Sequence, residues 1–392
     1  MAFDLESARA LTPGCIEVAH LNNAGAALMP TPVIDALTAH IHLEARQGGY
    51  EAAEMAHPLL EHFYDAAAML LNCRREEIAF MENATRAWDM AFYAFDFQPG
   101  DRILTSQAEY ASNYIAYLQV SRRTGAKVEA VPNDESGALS VPALETMIDR
   151  HVKLISVTHV PTNGGLVNPA AAIGRVARAA GIPYLLDACQ AMGQMPMDVE
   201  VLGCDLLSAT GRKFLRGPRG TGFLYVRQSL LEKLEPPFLD LHAAEWTTPD
   251  TYSIREDARR FENWETNFAG NIALGAAIDH ALEWGLEAIW ERVRGLADGL
   301  RKQLAGMPGV AVHDLGEERC AIVSLTKEGL HPEDLRVALR ERGINVSVSE
   351  ASGTRLDMEG RGLGALLRVS PHYYNSEAEL DRFVTVLGEM AG

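Results

Sequence analysis

Cysteine is scarce in this chain, and Cys15, Cys73, Cys189, Cys204 and Cys320 form neither CxxC pairs nor a zinc-finger spacing. That pattern argues against a disulfide framework and a thiolate metal cluster, so no metal site is expected and each cysteine reads as a small buried hydrophobe. Positive charge is also short: 35 Lys and Arg stand against 53 Asp and Glu, for a net charge of −18. Such a field repels nucleic-acid backbone and anionic membrane, although a local basic patch still suits one small anion. No run approaches the ~18 apolar residues of a membrane span. The Met-Ala-Phe-Asp-Leu-Glu start lacks a basic segment followed by an apolar one, so a cytoplasmic location is the expectation. A Walker A sequence is absent. Gly217-Pro218-Arg219-Gly220-Thr221-Gly222 has the wrong order for a dinucleotide fingerprint and precedes a strand instead of a helix.

What remains is a globular chain of 392 residues, 47% hydrophobic, long enough for two domains. Short β-prone runs at 78–80, 102–105, 127–131, 153–158, 184–186 and 223–226 alternate with helical stretches near 84–95, 111–124, 140–150 and 169–180. That alternation predicts an α/β domain with a mainly parallel sheet, because parallel strands need crossover connections. Regular structure breaks near 235–262, and a helical run follows over about 269–304. Strands at 320–325, 344–348 and 365–369, with helices at 332–342 and from about 376, then predict a smaller α+β domain. The expected division is an N-terminal segment 1–20, a large domain 21–260 and a small domain 261–392.

Three local signals carry chemistry. Lys213 sits in the glycine-rich run Ser208–Gly222, where close backbone approach is allowed and a lysine is able to form an imine with a carbonyl cofactor. Asp187 ends the apolar run Tyr184-Leu185-Leu186, which delivers a carboxylate to a low-dielectric site where it needs a cationic partner. Glu82-Asn83-Ala84-Thr85 precedes a helical run whose first backbone donors suit a phosphate. Taken singly, these read equally well as a basic turn, a helix cap and an ordinary N-terminus.

Together, and in this order, they resemble the class-V branch of the fold-type-I pyridoxal-phosphate enzymes, which includes cysteine desulfurases, selenocysteine lyases, kynureninases and isopenicillin-N-epimerase-like proteins. The resemblance runs from Leu21-Asn22-Asn23-Ala24-Gly25 to Arg368-Val369-Ser370-Pro371-His372-Tyr373-Tyr374-Asn375. It implies pyridoxal 5'-phosphate as cofactor, with Lys213 as the imine-forming lysine and proton relay and Asp187 as partner of the ring nitrogen. Gln190 would contact the phenolic oxygen. Ala84, Thr85, Thr210 and Arg212 would hold the phosphate, Arg212 standing where many relatives carry histidine. Tyr110 corresponds to a ring-stacking position often occupied by histidine, a change that keeps the flat surface but alters proton transfer. Asn163 would lie near the cofactor oxygen and the substrate carboxylate, which Arg368 would clamp bidentately with Asn23 nearby. Thr266 follows Phe261-Glu262-Asn263-Trp264-Glu265, a bulkier version of the family's Phe-Glu-x-Gly-Thr pattern, and would approach the phosphate of a neighbouring subunit in a homodimer.

The resemblance leaves the reaction open, since transamination, racemisation and β-elimination share one site design. Desulfurases of the family carry a nucleophilic cysteine on a loop before the carboxylate-binding strand. Here Ser349-Glu350-Ala351-Ser352-Gly353-Thr354-Arg355-Leu356-Asp357 has none, which disfavours persulfide chemistry. Arg355 and Arg361 offer a second-anion contact against the plainer reading of a solvated loop. The expectation is therefore an aminotransferase-like enzyme acting at the α-carbon of a small amino acid. The alternatives are a persulfide-independent C–S β-lyase on a cysteine conjugate, an amino-acid epimerase or racemase, and a non-catalytic scaffold.

Overall fold

The larger sheet is built from β1 (Ile78–Met81), β2 (Arg102–Thr105), β3 (Lys127–Ala130), β4 (Val152–Thr158), β5 (Tyr184–Asp187), β6 (Leu206–Thr210) and β7 (Gly222–Val226), in a computed structural model that describes residues 3–390. Their order is β1-β7-β6-β5-β4-β2-β3. Within this sheet β7 is antiparallel to both its neighbours, and every other pairing is parallel. Helices Ala111–Thr124 and Ala170–Ala180 make crossovers between parallel strands. Because successive side chains of a strand point to opposite faces, Leu186 and Leu207 enter one core with Phe63 and Phe223. Leu185 and Leu206 enter the other with Trp88 and Tyr117.

The smaller α+β unit is an antiparallel sheet of β8 (Val310–Val312), β9 (Val323–Lys327), β10 (Ser347–Glu350) and β11 (Ala365–Val369), in the order β8-β9-β11-β10. Leu296, Leu300, Leu335 and Phe383 from its helices pack on Val323 and Leu367. Strand Ala19–His20 pairs in parallel with Ile344–Asn345 and ties the N-terminal segment to this unit. Among the described residues, no helix is long and apolar enough to cross a membrane.

Several local expectations shift for identifiable reasons. The run 269–304 is two helices, Phe268–Trp284 and Leu286–Ala305, hinged at Gly285, whose φ of 80° suits glycine. The first of them packs on helices Thr31–Gln47 and His57–Leu71. The strand expected from 320 starts only at Val323, because the Cys320 and Ile322 carbonyls accept hydrogen bonds from Arg301 at 2.7 and 2.8 Å. The Trp246-Thr247-Thr248-Pro249-Asp250 segment, read as a break, forms the first strand and turn of a hairpin joining Ala244–Thr248 to Thr251–Ile254.

Candidate active site

β1, β2, β4, β5 and β6 all point the same way, so their C-terminal ends open on one edge of the sheet, where open α/β folds bind ligands. A cavity of about 460 Å³ lies there, lined by Thr85, Tyr110, Asp187, Gln190, Arg212 and Lys213 among others. Ala84, Thr210, Cys189 and Thr162 complete much of its wall.

Lys213 is carried on a loop closed upon itself, with Gly211 N donating to Thr221 O at 3.0 Å, Gly217 N to Gly211 O at 2.7 Å and Arg216 N to Lys213 O at 2.9 Å. A Cβ at Gly211 would meet Thr221 Oγ1 at 2.3 Å, so only glycine permits this closure. Burial pushes the Lys213 ammonium down from its ordinary value, and Arg212 beside it acts in the same direction. Asp187 Oδ1 accepts from Cys189 N and Oδ2 from Asn113 Nδ2, both at 2.9 Å. Arg212 donates to Gly25 O. Asn83 caps helix Ala84–Phe92 through Arg86 N at 2.9 Å, and the first two residues of that helix, Ala84 and Thr85, face the cavity. A Cβ at Gly222 would meet Ala84 N at 3.1 Å, which is why the helix start approaches β7 so closely.

The residues fit a pyridoxal phosphate. Gln190, 2% exposed, leaves Oε1 without a partner at the cavity wall, while its Nε2 donates to Ala24 O at 3.1 Å. A lysine, a buried carboxylate, a helix start and an arginine surround one volume of cofactor size.

Arg368, on β11, is nearly buried and reaches the same region from the smaller unit. Its Nη1 donates to Thr162 Oγ1 at 2.8 Å and Thr162 O at 3.1 Å, Nη2 reaches Asn22 Oδ1 at 3.5 Å, and Nε has no partner. Thr162 thus orients Arg368, a part that the sequence signals only by placing a hydroxyl residue next to Asn163.

Five expected residues lie elsewhere. Asn23 is fully buried, donating to His20 O, Ser370 O and Asn375 Oδ1 while accepting from Tyr374 OH. Its amide is fully committed to joining the two units, and Asn22 takes the position facing Arg368 that was assigned to Asn23. Asn163 Nδ2 donates to Glu350 O at 3.1 Å and Thr354 Oγ1 at 3.0 Å, fastening the loop after β4 to the loop after β10. Thr266 lines a separate cavity of about 690 Å³ with Tyr64, Arg259 and Glu262, so within one chain it is not brought to Lys213. Arg361 donates to His313 O and Asp357, and Arg355 to Glu359, so both are committed within the smaller unit and away from the cavity.

No cysteine lies on the 349–357 loop. Cys189 touches the cavity, but burial, with Asp187 adding to it, pushes its thiol up to about 12.

The sequence profile of the family described as Aminotransferase class-V matches residues 19–383. A cysteine desulfurase from Cronobacter sakazakii is 31% identical over 94% of this chain and 92% of its own length. Another from Haloferax volcanii is 27% identical over 94% of this chain and 88% of its own. Among solved structures, the apo cysteine desulfurase from Thermococcus onnurineus NA1 superposes with a TM-score of 0.92 at 28% identity, covering 99% of this chain and 98% of that one.

Proposed function

The chain belongs to the class-V aminotransferase family and is a pyridoxal-phosphate-dependent enzyme; from that premise we propose that it transfers the amino group of a small amino acid. The observation that supports this is the set of titratable groups on the cavity wall: Lys213 is the one placed to carry a proton back and forth, and the thiol there, Cys189, is pushed up to about 12 and is a poor sulfur acceptor. When bound, the cofactor supplies an electron sink for the bonding pair at the α-carbon. Arg368 binds the substrate carboxylate through the side of its fork that Thr162 leaves open, which fixes the α-carbon toward Lys213. Lys213 Nζ would accept the proton at the substrate's α-carbon and later release it, and the burial that lowers its affinity for protons favours the neutral amine this needs. With the cofactor bound, Asp187 would hold the proton on the ring nitrogen, Gln190 would meet the phenolic oxygen, Ala84, Thr85, Thr210 and Arg212 would hold the phosphate, and Tyr110 would cover the ring. As a homodimer, the protein would bring Thr266 to the partner's phosphate.

A second reading, C–S β-elimination from a cysteine conjugate without a persulfide, shares C–S bond cleavage with the cysteine desulfurases this chain is similar to and needs no acceptor thiol. The test is a screen of purified enzyme against amino acids and cysteine conjugates, following the cofactor spectrum, keto acid, ammonia and thiol. Stoichiometric keto acid with the cofactor left in its amine form, reversed by a second keto acid, supports transamination. Ammonia and thiol without that half-reaction would overturn it in favour of the lyase.

A further inference from the structure

Behind Asp187 lies a second, deeper carboxylate that the proposed reaction does not use. Glu109 is 3% exposed and has no cationic partner among the described residues. Instead it accepts from Thr105 Oγ1 and Tyr110 N at 2.9 Å, from Thr158 N at 3.0 Å, and from Thr158 Oγ1. Asn113, one helical turn on, donates from a single Nδ2 to Glu109 Oε1 and to Asp187 Oδ2, each at 2.9 Å. Both hydrogens of that amide therefore point at carboxylates, and flipping it would set Oδ1 against two acceptors.

We propose that Asn113 and Glu109 are positioning residues that hold the Asp187 carboxylate at the angle and distance required by the cofactor's ring nitrogen. The proposal rests on the reading of Asp187 given above. Cys189 N holds one oxygen of Asp187 and Asn113 the other, so the two together stop rotation about the Cβ–Cγ bond. Asn113 is in turn stopped by Glu109, which is locked by the ends of β2 and β4. The same Glu109 fixes the backbone of Tyr110, so one buried group sets both the partner of the ring nitrogen and the ring's cover. Burial first, and the Asp187 charge as a further cause, raise the Glu109 carboxyl. The other titratable groups facing the pair are Tyr117 on the same helix, Tyr184 on β5, Cys189 after it and Lys213 after β6.

The test uses full-length protein loaded with pyridoxal phosphate and reads three quantities: the midpoint of the pH titration of its visible absorbance, the cofactor dissociation constant, and the melting temperature. Asn113→Leu removes both donors, Asn113→Asp replaces them with acceptors, and Glu109→Gln keeps shape while placing a donor among donors. Asp187→Asn serves as reference. Tyr117→Phe serves as a structural control, because Tyr117, on the same helix as Asn113, donates a buried hydrogen bond of 2.7 Å to Ser156 on β4 and none to Asp187. Each variant at Asn113 or Glu109 is expected to move the midpoint in the direction of Asp187→Asn and to weaken cofactor binding about tenfold, as for loss of one charge-assisted hydrogen bond. Tyr117→Phe is expected to lower the melting temperature and leave the midpoint alone. If Asp187→Asn moves the midpoint while every Asn113 and Glu109 variant that folds titrates like wild type, the positioning role is refuted and the reading of Asp187 survives. If Asp187→Asn itself leaves the midpoint in place, that reading fails and takes the positioning role with it. Failure of Asn113→Leu and Asn113→Asp to fold leaves Glu109→Gln to decide by the same midpoint.

Discussion

Replacing Arg368 with Gln should separate binding from stability. The guanidinium is buried and faces no carboxylate in the substrate-free protein among the described residues. Burial, with the positive charge of Arg212 second, pushes its pKa down to about 10. At about 1.4 kcal/mol per pH unit, that displacement costs the folded state about 3 kcal/mol. Against it stand the hydrogen bonds to Thr162, worth about 1.5–3 kcal/mol from a charged donor. The two contributions nearly cancel, so Arg368→Gln should melt within about 3 °C of wild type, where breaking an ordinary buried ion pair costs about 3–5 kcal/mol. Substrate binding has no such offset. Loss of a bidentate carboxylate clamp should lower kcat/KM by at least about 100-fold, or about 3 kcal/mol. The sign with pH is also fixed. The cost is fully present below pH about 10 and is relieved above it, because the folded state releases the Arg368 proton before the unfolded state does. Wild type should therefore gain stability relative to the variant as alkaline pH rises. Calorimetry of both proteins, beside steady-state kinetics on the amino donor found by the screen, tests all three claims. A variant that melts more than about 8 °C lower while keeping its kcat/KM would refute the reasoning and make Arg368 a structural residue.

Cys189→Ala should keep kcat/KM within about threefold, since the thiol is pushed up to about 12 and carries almost no thiolate at neutral pH; sulfur retained on the wild-type protein after turnover with cysteine, seen by mass spectrometry, would contradict this. Asn22→Ala should raise KM several-fold with little change in melting temperature, whereas Asn23→Ala should lower the melting temperature and leave KM alone, because its amide is bonded within the protein; the opposite pattern would return the substrate contact to Asn23. His159 and His280 are held down to about 4 by burial, and burial likewise holds His372 well below its ordinary value. Their stabilising effect is fully present above the unfolded value of about 6.5 and is lost as pH falls toward 4, with Glu109 opposing the trend. Urea midpoints that do not fall between pH 7 and pH 5 would count against it.

What the sequence disclosed follows from how local each signal is. Buried parallel strands such as Lys153–Thr158 and Tyr184–Leu186 are apolar runs read without tertiary information, and the residues at their ends inherit a place on one edge from chain direction alone. Asp187 was legible on that ground, Lys213 through its glycine-rich run, and Gln190 and Tyr110 through the family resemblance. Strand Leu206–Thr210 was not, because Ser208 and Ala209 at its centre carry little β signal and hold their place by burial between β5 and β7. The choice between Asn22 and Asn23 was equally hidden, since adjacent identical residues differ only in which side of the chain meets Tyr374 and which meets Arg368.

Asn113 marks a sharper boundary. Its four-residue spacing from Glu109 is visible on a helix, and that spacing alone suggests an ordinary surface pair. Its second bond crosses 74 residues to Asp187 and exists only because β2 and β5 flank β4 in the sheet. A residue that touches substrate must be of a chemically distinctive type, so sequence exposes it. A residue that only holds another in place needs a donor at the right point in space, and any amide or hydroxyl qualifies. Strand order, and not residue type, determines which one is chosen. Arg368 obeys the same logic through Thr162, 206 residues away. In this fold, then, the groups that meet the reacting atoms are written locally, while those that set the geometry are written in the topology.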